Sequence, residues 1–272
     1  MKKISVVIPC WSEEKSIRLM YERVTKVFST ELSNYDYEII FVDDASPDST
    51  WNEIEKVCSE DKHVKGILNA RNFGFTRNVF ATLQYGTGDA TFMLFGDLQD
   101  PPELLPEFVR KWEEGYKVVI GQKTDSNESK MLYFWRSVYY KVIGTLSATK
   151  QIQHFNGYGL YDKAFIDVMK QIDDPAPYLK GLVAEFSMKQ YIIQYHQDES
   201  NRGKSGSNFA KNYDIAMLGI TSYTKTLMRV ATFIGAAIGV ICGLFALFIF
   251  VSKLLNWNSY PLGIPTVIIG VF

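Results

Sequence analysis

Three polar side chains suited to chemistry lie together in one short segment: Asp97, Gln99 and Asp100. The apolar run 91–95 before them predicts a buried parallel strand, and the two prolines after them prevent further sheet pairing. Open α/β sheets bind ligands at the carboxyl ends of their strands, and Mg²⁺ or Mn²⁺ prefers oxygen ligands of this kind. The segment is either a metal and phosphate site or an acidic turn that caps the next helix, and its residues alone favour neither.

The elements around this segment alternate between strands and helices, which predicts an α/β fold. Apolar residues at helical spacing separate the predicted strands, so βαβ units with right-handed crossovers are expected to form a mostly parallel, Rossmann-like sheet flanked by helices. Ser12 is expected to cap the first helix, the glycine-punctuated segment 155–162 to form a turn, and 178–188 to form a helix. Buried strands are predicted at 4–9, 37–42, 64–68, 91–95, 117–121 and 190–195.

The composition limits the classes of protein that the chain can belong to. With 272 residues, 47% of them hydrophobic, the chain can bury one sizeable core and has residues to spare. A formal net charge of -1 argues against a nucleic-acid-binding protein that relies on bulk positive charge. Cys10, Cys58 and Cys242 form neither a metal-ligand pattern nor a disulfide framework, which indicates a reducing compartment. No signal peptide is expected, because the first strand follows Met1 almost directly.

The C-terminal part of the chain has the composition of a membrane segment. The stretch 227–251 carries a single charge, Arg229, and as a helix it is about 37 Å long, which exceeds the roughly 30 Å of a hydrocarbon core. A buried core helix is the alternative interpretation. The later apolar segment 260–272 is too short to span, and we expect it to begin a second membrane helix of a truncated sequence.

Four parts of the chain are predicted from these patterns. Residues 1–207 form the α/β domain, and the amphipathic segment 208–226 forms an interfacial helix. Residues 227–252 form the first transmembrane helix, and 260–272 begin the second. Basic residues are concentrated before the first span, so the positive-inside rule places the α/β domain in the cytoplasm. These basic residues are Lys204, Lys211, Lys225 and Arg229, and Lys253 alone follows the span.

Four short motifs give the chain its family resemblance. In order and spacing they are similar to motifs of the family 2 inverting glycosyltransferases with a GT-A fold, in particular the polyprenyl-phosphate sugar synthases, a group that includes bactoprenol glucosyltransferases and dolichyl-phosphate mannose synthase. The resemblance covers essentially the whole chain. The motifs are PCWSEE at 9–14, DDASPDST at 43–50, RNFG at 71–74 and DLQDPPE at 97–103.

The resemblance implies a set of site residues. Asp97 and Gln99 would hold Mg²⁺ or Mn²⁺, and Asp44 occupies the position that contacts the base of the nucleotide. The predicted nucleotide-sugar-binding residues are Pro9, Trp11, Glu13, Asp43, Asp44, Ser46, Arg71, Asn72, Gly74, Gly96 and Asp97. The predicted catalytic residues are Asp97, Gln99, Arg136, Arg202 and Lys204.

The chain departs from the family pattern at three positions. Phe95 stands where the family has an aspartate, which removes one carboxylate from the usual metal set, and Ser12 replaces an asparagine. Gly206 stands where a lysine is usual, so Arg202 or Lys204 is expected to supply that positive charge.

The reaction that the resemblance implies is one in-line displacement with inversion at the anomeric carbon. The donor would be a UDP-sugar, with a GDP-sugar open, and glucose is the commonest sugar expected. The acceptor would be a membrane polyprenyl phosphate, which is mostly dianionic near neutral pH because its second pKa is about 6, so no general base is required. Arg136 is expected to contact that phosphate. The three histidines, His63, His154 and His196, lie outside the motifs and are predicted to be structural.

Two other functions stay open from the sequence. Transfer to a sugar hydroxyl would need a base, and the Glu-Asp and Gln-x-x-Arg-Trp motifs typical of such enzymes are absent from the sequence. A catalytically weak nucleotide-sugar-binding scaffold of the membrane is the second, and Phe95 and Gly206 are its support. Self-association into a homo-oligomer is also open, and the product is expected to serve in modifying cell-envelope glycans.

Overall fold

A computed structural model describes residues 1–124, 155–174, 177–186, 188–197, 217 and 225–255. The chain divides into two compact units, Met1–Tyr223 and Thr224–Phe272, and each is considered by itself.

The first unit contains seven strands and six helices within the described residues, together with a short 3₁₀ turn at Pro102–Leu104. The strands form one sheet in the order β3-β2-β1-β4-β6-β5-β7. The strands are β1 (Lys3–Cys10), β2 (Asp36–Asp43), β3 (Val64–Leu68), β4 (Ala90–Met93), β5 (Val118–Lys123), β6 (Gly159–Asp162) and β7 (Gln190–Tyr195). The helices are α1 (Ile17–Thr30), α2 (Thr50–Glu60), α3 (Phe75–Gln84), α4 (Leu105–Glu113), α5 (Lys163–Met169) and α6 (Leu179–Glu185).

The half of the sheet around β1 is parallel, as the sequence predicts. β1 pairs in parallel with β2 on one side and with β4 on the other, and β2 pairs in parallel with β3. Helices cover the faces of such a sheet, so its strands are continuously apolar. Val6 illustrates this arrangement, because it lies opposite Ile39 and Phe92 and all three side chains are fully buried. The carboxyl ends of β1, β2, β3 and β4 therefore lie at one edge.

The segment 155–162 is not the turn that the sequence predicts, because its second half is strand β6. This strand lies between β4 and β5 and is antiparallel to both. Gly159 makes the close pairing possible, since a Cβ added there would lie 2.5 Å from the carbonyl oxygen of Val119. Glycine in a strand often marks such an approach of two backbones. Glycine also favours turns, which is why the sequence around Gly159 predicts a turn instead of a strand.

Helix α1 begins four residues later than a cap at Ser12 would place it, so that prediction is wrong. Ser12 has a φ of 60°, and the chain first makes a turn in which the Ser16 amide donates to the carbonyl of Glu13 at 2.8 Å. The helix proper starts at Ile17. The predicted helix 178–188 is shorter, at Leu179–Glu185.

The second unit contains one long helix, α7 (Lys225–Leu255), of 31 residues. Within its segment Arg229–Leu255 an 18-residue window has a mean hydropathy of 2.7, and the length and composition of the segment suffice to cross a membrane. Most of its described side chains are exposed, which does not fit the alternative of a buried core helix. The predicted interfacial helix 208–226 falls largely outside the described residues, and the predicted second span 260–272 falls entirely outside them.

Candidate active site

Three left-handed residues lie just beyond the carboxyl ends of β1, β2 and β4. Ser12, Ala45 and Leu98 have φ angles of 60°, 55° and 60°, and they are the non-glycine residues with positive φ among those that the structure describes. Such conformations are uncommon and are found most often at functional sites. Because β2, β1 and β4 are neighbours in the sheet, the three strained turns occur along one edge.

The motif after β1 is hydrogen-bonded to the motif after β2. The Ser12 amide donates to Ser46 Oγ at 2.9 Å, and Ser46 Oγ in turn donates to Asp43 Oδ1. The Glu13 amide donates to Thr50 Oγ1 at 2.7 Å. The left-handed turn at Ser12 thus aims two successive amides at the β2 motif, and the two predicted motifs form one rigid unit.

Asp43 ends β2 as a buried carboxyl group with one unsatisfied oxygen. Its Oδ2 has no hydrogen-bond partner among the described residues, and the side chain is fully buried. Burial raises the pKa of Asp43, although hydrogen bonds from Ser46 oppose the increase. An unpaired buried acceptor is costly, and because the side chain is closed off from solvent, a ligand reaches this oxygen only when the surrounding turn moves.

Asp44 fixes the RNFG motif in place. Its Oδ1 accepts hydrogen bonds from Asn69 Nδ2 at 2.8 Å and from the amide of Phe73 at 3.0 Å, and its Oδ2 accepts from the amide of Gly74 at 2.9 Å. The loop that these bonds hold carries Arg71, whose exposed guanidinium lies 4.6 Å from the ring centroid of Phe73. This positioning role was missed by the sequence analysis, and the contact of Asp44 with a base stays a prediction.

Phe95 forms an aromatic pair where the family pattern has a carboxylate. Its ring stacks on Phe75, the first residue of α3, with 5.7 Å between the centroids. Gly96 follows, and a Cβ added there would lie 3.3 Å from Glu13 Cγ and 3.3 Å from Cys10 Sγ. The missing side chain at Gly96 lets the β1 motif pack closely against the β4 motif.

Asp97 is a desolvated carboxyl group close to a second one. Burial raises the pKa of Asp97 to about 6, and the negative charge of Asp100 contributes to this shift. The amide of Gln99 donates to Asp97 Oδ1 at 3.3 Å. Lys123, the last residue of β5, has the opposite effect, since its positive charge lowers the pKa of both carboxyl groups. Lys123 was not singled out from the sequence, although a cation at a strand's carboxyl end is a usable signal.

Asp100 joins three segments that are distant in sequence. It is 1% exposed and accepts hydrogen bonds from the Tyr195 hydroxyl, from Asn156 Nδ2 at 3.0 Å and from Gln197 Nε2 at 3.3 Å. The Tyr158 hydroxyl donates to the carbonyl of Pro101 at 2.6 Å. The loop after β4 is therefore anchored to the end of β7 and to the segment before β6, and no local sequence pattern points to these partners.

The donor set at this edge fits a divalent cation that a substrate also ligates. Within the described ranges there is no group of three or more His, Cys, Asp or Glu residues that could hold a metal ion. Within the DLQDPPE motif the candidate oxygen ligands are the carboxylate of Asp97 and the amide oxygen of Gln99, which accepts one long hydrogen bond from Gln197 Nε2 at 3.4 Å. Both oxygens of Asp100 are engaged by its three partners. Mg²⁺ is commonly bound through one or two carboxylates together with substrate phosphates, and a desolvated acidic pair favours a cation.

The structure brings most of the predicted nucleotide-sugar-binding residues to the carboxyl edge of the sheet. Pro9 lies in β1 opposite Val42, Trp11 is 41% exposed, and Glu13 is buried. The predicted catalytic residues Arg136, Arg202 and Lys204 lie outside the described residues, so their roles stay predictions.

The class of protein follows from this architecture and from comparison with known proteins. An α/β domain with acidic motifs at the carboxyl ends of adjacent parallel strands is typical of enzymes that bind nucleotides at that edge. Residues 5–180 match the model of glycosyl transferase family 2, and the chain belongs to this family.

Relatives extend the similarity over nearly the whole chain. A protein of Shigella phage SfX named bactoprenol glucosyl transferase is 28% identical over 270 residues, which are 99% of this chain and 88% of that protein. A prophage bactoprenol glucosyl transferase homolog of Escherichia coli K12 is 27% identical over 99% of this chain and 87% of that protein.

Solved structures share the fold. Glucosyl-3-phosphoglycerate synthase from Mycobacterium tuberculosis, in complex with Mg²⁺ and uridine diphosphate, superposes with a TM-score of 0.54 at 14% identity, over 79% of this chain and 76% of that one. The fold is accordingly that of the GT-A glycosyltransferases.

Proposed function

We propose that the protein is a membrane-anchored inverting glycosyltransferase that moves a hexose from a UDP-sugar to a polyprenyl phosphate. Glucose is the first candidate for that hexose. The observation that carries this proposal is the similarity over 99% of the chain to proteins named bactoprenol glucosyl transferase. That range includes the apolar helix α7 as well as the α/β domain. The product would be a lipid-linked sugar for modifying cell-envelope glycans.

The nucleotide would bind at the ends of β1 and β2. Here the buried Asp43 fixes Ser46 through a hydrogen bond, and Asp44 holds the Arg71 loop through three hydrogen bonds. Ser46 links the two strand ends and so keeps the spacing of this subsite fixed. The exposed guanidinium of Arg71 adds positive charge near the position expected for the donor's phosphates.

The diphosphate would lie at the end of β4. Asp97 and Gln99 would hold Mg²⁺ or Mn²⁺ there, and such an ion, when bound, offsets the negative charge that develops on the leaving diphosphate. Asp100 and its partners keep the loop that carries these ligands in place, and Lys123 opposes the repulsion between the two carboxyl groups.

The acceptor needs no activation by a general base. A phosphate monoester is mostly dianionic near neutral pH and is itself the nucleophile. The helix α7 would hold the α/β domain, on the cytoplasmic side, at the membrane surface where the lipid acceptor lies, which raises its effective concentration.

The test is a transfer assay with the full-length chain in detergent, undecaprenyl phosphate and a panel of radiolabelled UDP- and GDP-sugars. We expect a lipid-extractable product from one donor, lost with EDTA and in Asp97→Ala. Asp167→Ala, which removes an exposed carboxylate from α5, is the matched control and should retain activity.

Each other outcome of the assay contradicts a defined part of the proposal. No product from any donor, although UDP still binds, would overturn transfer and favour a nucleotide-binding role. Product that survives EDTA would overturn the metal requirement alone. Full activity in Asp97→Ala would remove that residue from the site.

A further inference from the structure

A partly exposed aromatic surface begins two residues before Asp97. It consists of Phe75 and Phe95, and we name it the Phe75–Phe95 surface. The two rings are stacked at an interplanar angle of 21°. Phe95 is 8% exposed and Phe75 is 56% exposed, so the pair leads from a buried position two residues before Asp97 to the surface of the domain. Phe73, two residues before Phe75, is 39% exposed as well, and neighbouring exposed aromatic rings next to a candidate site indicate a contact with a ligand.

The inner part of this surface packs against apolar side chains of α3 and α6. The three atoms nearest to a Cβ added at Gly157 belong to Phe95, Leu179 and Val79, at 3.4, 3.5 and 3.7 Å. The α3 helix, the β4 end and the start of α6 therefore meet in an apolar wall behind Phe95. These side chains are buried, so the wall supports the two rings from behind, and a ligand that lies against the exposed face of Phe75 meets an apolar surface.

The chain on both sides of Phe75 carries positive charge. The segment 69–78 contains Arg71 and Arg77, both exposed, and no acidic residue. Arg71 lies over the ring of Phe73, which is itself 39% exposed. Exposed aromatic rings flanked by guanidinium groups are complementary to a molecule with an anionic group at one end of an apolar chain.

We propose that the Phe75–Phe95 surface binds the first isoprene units of the acceptor lipid, next to its phosphate. This inference rests on the proposed function, which supplies the polyprenyl phosphate. An isoprenoid chain has no hydrogen-bonding groups, so burial against the two rings costs it nothing in lost hydrogen bonds. The two rings offer no hydrogen-bond donor or acceptor, so they add nothing to the recognition of the hydroxyl groups of a hexose or the polar edge of a base. Phe95 thus contributes to acceptor binding at a position where the family pattern has an aspartate.

The test compares Phe75→Ala with the wild type, using the full-length chain in detergent and two acceptors that differ in length, geranyl phosphate and undecaprenyl phosphate. Loss of the ring is expected to raise the acceptor KM about tenfold for both, because the truncation removes most of a phenylalanine's apolar contact area. The donor KM and kcat should stay within about twofold. Phe75→Leu, which keeps an apolar side chain, should recover part of the loss.

Two controls separate this contact from a general effect on the fold. Tyr85→Ala removes an aromatic side chain that is 40% exposed, at the opposite end of α3, and should leave every kinetic constant unchanged. The thermal unfolding midpoint of Phe75→Ala should match the wild type, since the side chain is more than half exposed.

Four results would contradict the inference. An unchanged acceptor KM in Phe75→Ala would overturn it while leaving the proposed function intact. A raised KM for undecaprenyl phosphate alone, with geranyl phosphate unaffected, would indicate contact with the bilayer or micelle instead. A raised donor KM would indicate a donor contact. No transfer by the wild type to either acceptor would overturn the proposed function and this inference with it.

Discussion

The hydroxyl of Tyr195 donates a hydrogen bond to Asp100 Oδ1, and this contact joins the last strand of the sheet to the loop after β4. The two residues are 95 positions apart in the sequence, and both are buried. The loop that carries Asp97 and Gln99 is therefore fixed by a strand from the far edge of the sheet.

Removing this hydroxyl should loosen the Asp97 loop. In Tyr195→Phe, Asp100 Oδ1 keeps only the longer bond from Gln197, so we expect the domain to lose about 1 to 3 kcal/mol in its free energy of unfolding. Thermal or urea unfolding of the purified protein measures this, and kcat/KM should fall with it. Tyr191→Phe is the control, since the Tyr191 ring packs against Tyr116. Equal stability of both variants would contradict the anchoring role of Asp100.

Asp44→Asn should weaken nucleotide binding through the RNFG loop. An asparagine keeps one acceptor oxygen but turns an NH₂ group toward backbone amides that also donate, so at least one of the three bonds becomes repulsive. We expect the Kd for UDP, measured by isothermal titration calorimetry, to rise about tenfold or more, since the loss of one such bond is on the order of 1.4 kcal/mol. Asp36→Asn, at the exposed start of β2, should bind UDP normally. An unchanged Kd in Asp44→Asn would remove this residue from nucleotide recognition.

Glu38 should make the free energy of unfolding of the domain depend on pH in the acidic range. Its carboxylate is 2% exposed and accepts hydrogen bonds from Ser5 Oγ at 2.6 Å, Thr87 Oγ1 at 2.6 Å and Lys65 Nζ at 2.8 Å. Burial alone would raise the pKa of Glu38, but these bonds outweigh it and hold the pKa well below its usual range. The stabilisation is therefore present above the unfolded pKa of about 4.3 and is lost as the pH falls toward the folded value.

The corresponding experiment follows thermal unfolding of Glu38→Gln and wild type between pH 7 and pH 3. At pH 7 the variant should be less stable by about 2 kcal/mol, and the gap should narrow below about pH 4. Glu60→Gln removes an exposed partner of Arg18 and should change little at either pH. A gap that stays constant across the range would show that the charge of Glu38 is not what stabilises the fold.

Gly159→Ala should destabilise the sheet. The added methyl group would lie 2.5 Å from the Val119 carbonyl oxygen, which is backbone and cannot rotate away, so β5 and β6 must separate. We expect a loss of about 1 to 3 kcal/mol in the free energy of unfolding. Gly239→Ala in α7 is the control, because nothing lies within 4 Å of the position of its added Cβ. Wild-type stability of Gly159→Ala would mean that β6 is not paired as described.

The sequence predicts the strands that pair in parallel well, because the signals for such strands are local. The predicted strands at 64–68 and 190–195 coincide with β3 and β7 at both ends, and the acidic motifs follow strands as expected. Strand β6 was missed because it has only four residues and begins with glycine, so it offers neither alternation nor length. Its position is determined by pairing with β4 and β5, which no local pattern encodes.

The sequence predicted which residues lie at the candidate site, but not which side chains contact one another there. Residue types at strand ends identified Asp43, Asp44 and Asp97, because a strand end is a local feature. The three partners of Asp100 come from 56, 95 and 97 residues away, and they are brought to it by the strand order. The Phe75–Phe95 stacking likewise joins two segments that are distant in the sequence. The replacement of a carboxylate at Phe95 was therefore visible in the sequence, whereas its aromatic partner was not.

The place of β6 between β4 and β5 has a consequence for the order in which the chain can fold. As the chain leaves the ribosome, β1 to β4 can pair as soon as residue 93 is available, because their partners are already made. Strand β5 is made next but has no neighbour in the sheet until β6 and β7 are synthesised. The sheet is thus completed first by β6, which joins β5 to β4, and last by β7 at the edge. The contacts from β7 that hold the Asp97 loop are therefore among the last to form, before α7 is synthesised.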